Sequence, residues 1–243
     1  KNPEVLVSLG WLHNNTGQYA LSDSAFTLAV KAAEPFKKVE VVYLSWADAK
    51  FMRDSADAAL KLVKLAAGTD SESAEGYVAK ATALLLQKDT TAAYQAALQG
   101  LELDPENMNA LIMVTRAEFG ILKNYASVIN RVQGIRFKHS GHDQQIMLQN
   151  LQAMSYNMLG KHDSAFAVIQ RTIAINPQAA IPYTTLAETH AFQGNTEGFY
   201  ANLEKAFRLG FQLRFLDVKE EPYRRFVNTP RFKKLVEQYK LSG

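Results

Sequence analysis

From Pro3 to Leu241 apolar residues recur three and four positions apart, and alanine, leucine and glutamine dominate long stretches. That period predicts a succession of helices with essentially no sheet. Seven prolines and 13 glycines are too few for a chain of many short strands and tight hairpin turns. The longest stretch that could suggest a membrane span, Ala81 to Leu86, ends at Gln87-Lys88-Asp89, far short of the roughly 20 residues that cross a bilayer. Near the end, Phe232, Leu235, Val236 and Tyr239 form one stripe, preceded by Thr229 as a helix N-cap and Pro230 in the first helical position.

The helices come in a repeated unit. Ala74 to Pro105 aligns without a gap on Ile146 to Pro177; in each, an alanine (Ala93, Ala165) lies 12 residues before the proline and another (Ala81, Ala153) 12 before that. Small residues let two helices approach closely, large ones fill the space to the next pair, and proline ends the second helix. Leu9-Gly10 with Gly17-Gln18-Tyr19 follows the same pattern, as do Tyr156, Gly160, Ala165 and Ile169, and Tyr183, Leu186-Ala187, His190 and Gly194-Asn195.

With these residues the chain resembles the tetratricopeptide repeat (TPR), a helical hairpin of roughly 34 residues. Related helical-pair repeats are the alternative. Units start near Pro3, Val39, Ala74, Asn107, Ile146 and Ala180; the first carries extra residues at Ala20 to Ser24, the second lacks a closing proline, and the fourth runs long through Arg136 to Gly141. The resemblance implies an all-α solenoid of about six hairpins wound into a right-handed superhelix over residues 1–210. A linker and capping helix, 211–243, continue it and resemble the tail of many bacterial arrays. A polar-backed closing helix is what such an array needs at its end.

Composition adds few chemical candidates. Without cysteine there is no disulfide framework, thiolate metal site or cysteine nucleophile, and this absence suits cytoplasm and periplasm alike. The formal charge of +3 is too small to imply nucleic acid. Its excess is terminal: Glu204 to Lys240 holds 10 basic and 5 acidic residues. Pairs such as Arg224-Arg225 and Lys233-Lys234 read as solvated charge, as does Glu220-Glu221. His139-Ser140-Gly141-His142-Asp143 has the composition of a metal site, but the glycine favours a loop, so no metal and no cofactor is expected. His13 and His190 share one repeat position and are read as packing. No phosphate-binding loop, serine elbow or kinase signature is present, and Asn14-Asn15-Thr16 is read as a chance glycosylation match.

What the resemblance implies for function is an inner face built by the first helix of each hairpin. Its positions fall on Trp11, Asn14 and Asn15; Asp48 and Phe51; Thr82 and Leu85; Arg116 and Phe119; Asn150, Met154 and Asn157; and Glu188 and Phe192. The mixture of apolar and amide groups suits an extended peptide or a partner domain. Val7 and Trp11 stand where some relatives carry residues that clamp a chaperone's terminal carboxylate. The chain is therefore expected to be a non-enzymatic protein-binding scaffold, with no membrane insertion and no direct nucleic-acid contact. The alternative is the sensory or regulatory repeat module of a larger bacterial regulator with a further domain upstream.

Overall fold

The computed structural model describes every residue except 1, 37–38, 54, 69–72, 87, 138–140 and 241–243; of Phe51, Ala56, Leu86 and Lys240 only the backbone is described. The described residues hold thirteen α-helices and no strand. The first twelve pair as α1 (Pro3–Asn15) with α2 (Tyr19–Ala33), α3 (Val39–Met52) with α4 (Ala56–Ala67), and α5 (Ala74–Leu86) with α6 (Thr90–Leu103). They continue as α7 (Met108–Gly120) with α8 (Tyr125–Gln133), α9 (His142–Met158) with α10 (His162–Ile175), and α11 (Ile181–Phe192) with α12 (Thr196–Arg208). Short 3-10 turns at Leu213–Phe215 and Tyr223–Arg225 lead to α13 (Pro230–Lys240).

Three hairpin turns share one chemistry. A residue just after the odd-numbered helix adopts a left-handed backbone, with φ of +74° at Gly17, +70° at Gly160 and +77° at Gly194, a conformation glycine enters without steric cost. The next amide reaches back five residues: Gln18 to the His13 carbonyl, Lys161 to Tyr156 and Asn195 to His190, each at 2.8 Å. This satisfies carbonyls that a helix end leaves open. In two further turns lysines take the left-handed place, Lys88 at φ 64° and Lys123 at φ 53°. Side-chain caps then start several even-numbered helices, Asp89 accepting from the Ala92 amide at 3.0 Å and Asn195 from the Gly198 amide at 2.9 Å.

The chain divides into two compact units, Lys1–Ala117 and Glu118–Gly243. In the first unit α2 lies between α1 and α3, where Phe26, Ala29 and Ala33 pack with Val42 and Ala49. Gly10 is what admits Phe26, since a Cβ on Gly10 would lie 2.7 Å from its ring. Farther along, Ala59, Leu62 and Val63 of α4 join Ala47 of α3 to Ala83 of α5. A polar clamp also ties α2 to α3: Asp23 accepts from the Trp46 indole and the Lys50 ammonium, each at 2.8 Å, and from Arg53. These donors hold its carboxyl below the usual range against the opposing effect of burial, which is the largest single influence.

In the second unit Ala165, Val168 and Ile169 of α10 sit between Ala153 of α9 and Leu186 of α11. The rhythm changes after Gly210. Tyr223, Phe232 and Leu235 cover Ala187, Ala191, Phe199 and Leu203, with Val236 and Tyr239 packed at the margin. Phe226 stacks on Phe199 at 4.0 Å. The Thr229 hydroxyl caps α13 by accepting from the Phe232 amide at 3.2 Å, and Arg231 pairs with Glu197 of α12 at 2.5 Å.

Two substitutions test this packing by chemical denaturation. Ala165 is fully buried between helices, so Ala165→Phe should destabilise the chain by about 1 to 3 kcal/mol or more. Lys123→Gly should stabilise it by about 0.5 to 1 kcal/mol, because relieving a left-handed non-glycine residue outweighs glycine's added chain entropy.

Candidate protein-interaction surface

The residues expected on an inner face differ widely in how free they are. In the first unit Trp11 is tied down: its indole donates to the Ser45 hydroxyl at 2.8 Å and its ring meets Phe26 edge-on. Asn14 is buried, and its Oδ1 has no hydrogen-bond partner in the protein, while Asn15 is exposed. Asp48 is exposed, yet enough protein surrounds it for desolvation to raise its carboxyl above the usual value. Thr82 bonds back to the Val78 carbonyl at 2.8 Å, Leu85 is 44% exposed and Arg116 is exposed. The Phe51 side chain lies outside the described residues, as does His139 of the histidine cluster.

The second unit links two of its candidates, Asn157 and Phe192, through His162. The Asn157 Nδ2 donates to the Thr189 hydroxyl at 2.9 Å and its Oδ1 faces the His162 Nδ1 at 3.3 Å. The His162 ring lies flat on Phe192, 5.3 Å between centroids at an interplanar angle of 4°. The Arg225 guanidinium stands 5.9 Å from the centroid of the same Phe192 ring, and Arg225 also pairs with Glu221 at 2.5 Å. One turn back, the Glu188 carboxylate accepts from the Tyr223 hydroxyl at 2.8 Å. Asn150 is buried; its Nδ2 meets the Met154 sulfur at 3.5 Å and its Oδ1 has no protein partner. Phe119, half-buried, packs edge-on against Tyr125.

Three residues of this patch were not among the sequence candidates: His162, which opens an even-numbered helix, and Tyr223 and Arg225 of the tail. No spacing in the sequence connects Tyr223 to Glu188, 35 residues earlier. His190, by contrast, packs as its position suggested, edge-on to Phe166 at 5.8 Å, with burial lowering its pKa. Among the described residues no three His, Cys, Asp or Glu side chains gather as a metal site, and no helix is long and apolar enough to cross a membrane. A shallow depression beside the start of α8 is lined by Asn124, Ser127, Asn130 and Arg131, but Arg131 is committed to the buried Glu118 at 2.6 Å.

Glu188 gives the patch a pH signature. Burial pushes its carboxyl up to about 7, and the Tyr223 bond only partly offsets this. An unfolded chain ionises this group near 4.3. As pH rises between those values the folded state retains a proton the unfolded state has lost, so stability falls across that window. In urea titrations the advantage of Glu188→Gln over the native chain should grow by about 1 to 3 kcal/mol from pH 4.5 to pH 7.5, allowing for solvent contact. Parallel curves would place the carboxyl in ordinary solvent.

No protein-family model matches the chain, and no curated protein matches it. Solved structures do. A chain of the APC/C hetero-tetramer Cut9–Hcn1 superposes with a TM-score of 0.68 at 11% identity, over 98% of this chain and 42% of that one; the chain thus spans less than half of that relative's length. TTC0263, a thermophilic TPR protein of Thermus thermophilus, gives a TM-score of 0.57 at 15% identity over 84% of this chain and 98% of that one. YrrB, described as a TPR protein with an unusual peptide-binding site, gives 0.50 at 20% identity, with 76% and 92% covered. At such identities the likeness speaks to fold, and the paired helices, glycine turns and small-residue contacts agree with it: this chain has the helical-hairpin fold of the tetratricopeptide repeat proteins.

Proposed function

We propose that the chain is a non-enzymatic protein-interaction scaffold that holds an extended peptide or a partner domain on the inner faces of its odd-numbered helices. The observation that carries this reading is the connected patch of Asn157, His162, Phe192 and Arg225 in the second unit. A positioned aromatic ring beside a guanidinium is the chemistry of a protein hot spot, and on the same helix as Asn157 the Asn150 Oδ1, which has no protein partner, leaves an acceptor for backbone. In the first unit exposed Leu85 and Arg116 and the open Asn14 oxygen offer the same mixture. The description of YrrB as having a peptide-binding site is consistent with such a use of the fold.

The basic tail has a different character. Arg224 and Arg225 are both paired with Glu221, and Arg231 with Glu197, so much of its charge is already answered within the chain. Rim charges mostly tune the rate of encounter and its salt dependence.

The test is selection of peptides from a random library on the immobilised chain, followed by affinity measurement. Arg116→Ala and Phe192→Ala should each weaken the selected peptides at least about tenfold, roughly 1.4 kcal/mol. Charge reversal at Arg224 and Lys234 should change mainly the salt dependence. Trp11→Ala is a poor probe because it also removes a packing contact. Peptides indifferent to both groove substitutions but abolished by charge reversal would move the working surface to the tail.

A further inference from the structure

α1 exposes an apolar stripe: Val5 is 63% exposed, Leu9 40% and Leu12 58%. Counted from the small residue of each odd-numbered helix, these positions lie five before, one before and two after Gly10. Most of the same places elsewhere in the chain are core, exposed Lys80 before Ala81 being an exception. Val42, five before Ala47, and Ala49, two after it, pack against α2. Ala83, two after Ala81, packs against α4, and Leu186, one before Ala187, against α10. In each case the cover is the preceding even-numbered helix.

We infer that the Val5–Leu9–Leu12 face of α1 is the seat of one more helical hairpin, standing ahead of Pro3 in the same array. The occupant's chemistry follows from the helices that cover the equivalent faces. α4 presents Ala59, then Leu62 and Val63, then Ala66; α10 presents Ala165, Val168, Ile169 and Thr172. The incoming helix carries that stripe, a small residue followed by large apolar ones three and four positions on and a small one at seven. A second copy is a poorer occupant on two counts. Three side chains over two helical turns fall well below the roughly 1,000 Å² of a stable protein interface. Head-to-tail contact would also set them against the exposed Lys233 and Lys234 of α13, desolvating charge without a partner.

The chain supplies a hairpin in the right register for a test. Residues 142–179 lead directly into the sixth unit, so a copy fused ahead of Pro3 presents α10 to α1 as α10 is presented to α11. The extended protein should melt in one transition, at least about 4 °C above the original chain. The double substitution Val5→Glu with Leu12→Lys should leave the original chain's melting temperature nearly unchanged and lower that of the extended protein by about 4 °C or more. Two separate transitions, or indifference of the extended protein to the double substitution, would overturn the inference. So would a dimer of the original chain, seen by sedimentation, that the same substitution dissociates, because the face would then belong to a second copy.

Discussion

Helices pack with their axes roughly 8–10 Å apart only where side chains at the crossing are small enough to admit those of the neighbour. In this chain that requirement falls on one residue in each of five odd-numbered helices: Gly10, Ala47, Ala81, Ala153 and Ala187. Gly10 shows how tight it is, since even a methyl group there would collide with the Phe26 ring. Once that contact is fixed, the positions around it are assigned. The residues five before, one before and two after face the preceding hairpin, as Val42, Leu186 and Ala49 do. The residues one and four after are less uniformly used: Asp48 and Leu85 are exposed, whereas Trp11 and Ala191 are drawn into the core and Asn157 bonds to Thr189. The surface proposed for a partner is thus drawn from what that packing leaves open.

The tail extends the same logic at the far end. Ala187, Ala191, Phe199 and Leu203 would face solvent without Tyr223, Phe232 and Leu235 laid over them. Covering that surface also encloses a carboxylate, Glu188, and the hydroxyl of Tyr223 is the group that answers it. One segment therefore does two things, closing a core and answering the Glu188 carboxyl. One of its basic residues, Arg231, ties it to α12 through Glu197, while Arg224 and Arg225 pair locally with Glu221.

What could be read from the sequence was what depends on local chemistry. Glycine at the turn, the Thr229 cap with Pro230 after it and the recurring alanines each act within a few residues. Their period exposed the hairpins directly. The polar clamp on Asp23 and the Glu188–Tyr223 bond were invisible because they join groups 23 to 35 residues apart. Such contacts depend on how closely two helices come to lie. Trp11 shows the same limit: its position marks it as a surface anchor, and only the arrival of Ser45 makes it part of the packing.

Two asparagines show how far identical register can diverge in use. Asn14 and Asn157 each lie four residues after the small residue of their helix, Gly10 and Ala153, and both are buried. Around Asn157 the chain supplies two partners: His162, five residues on, and Thr189 in the next odd-numbered helix. The corresponding places around Asn14 hold Tyr19, which has no ring nitrogen, and Ala49, which has no hydroxyl. Its Oδ1 is accordingly left without a protein partner. A buried acceptor in that state costs about 1 to 3 kcal/mol, and an apolar residue of similar size would remove the cost. Within the proposed scaffold the two therefore do different work. Asn157 is spent internally, holding His162 and through it the Phe192 ring, whereas Asn14 retains an acceptor for a backbone N–H brought by the bound segment.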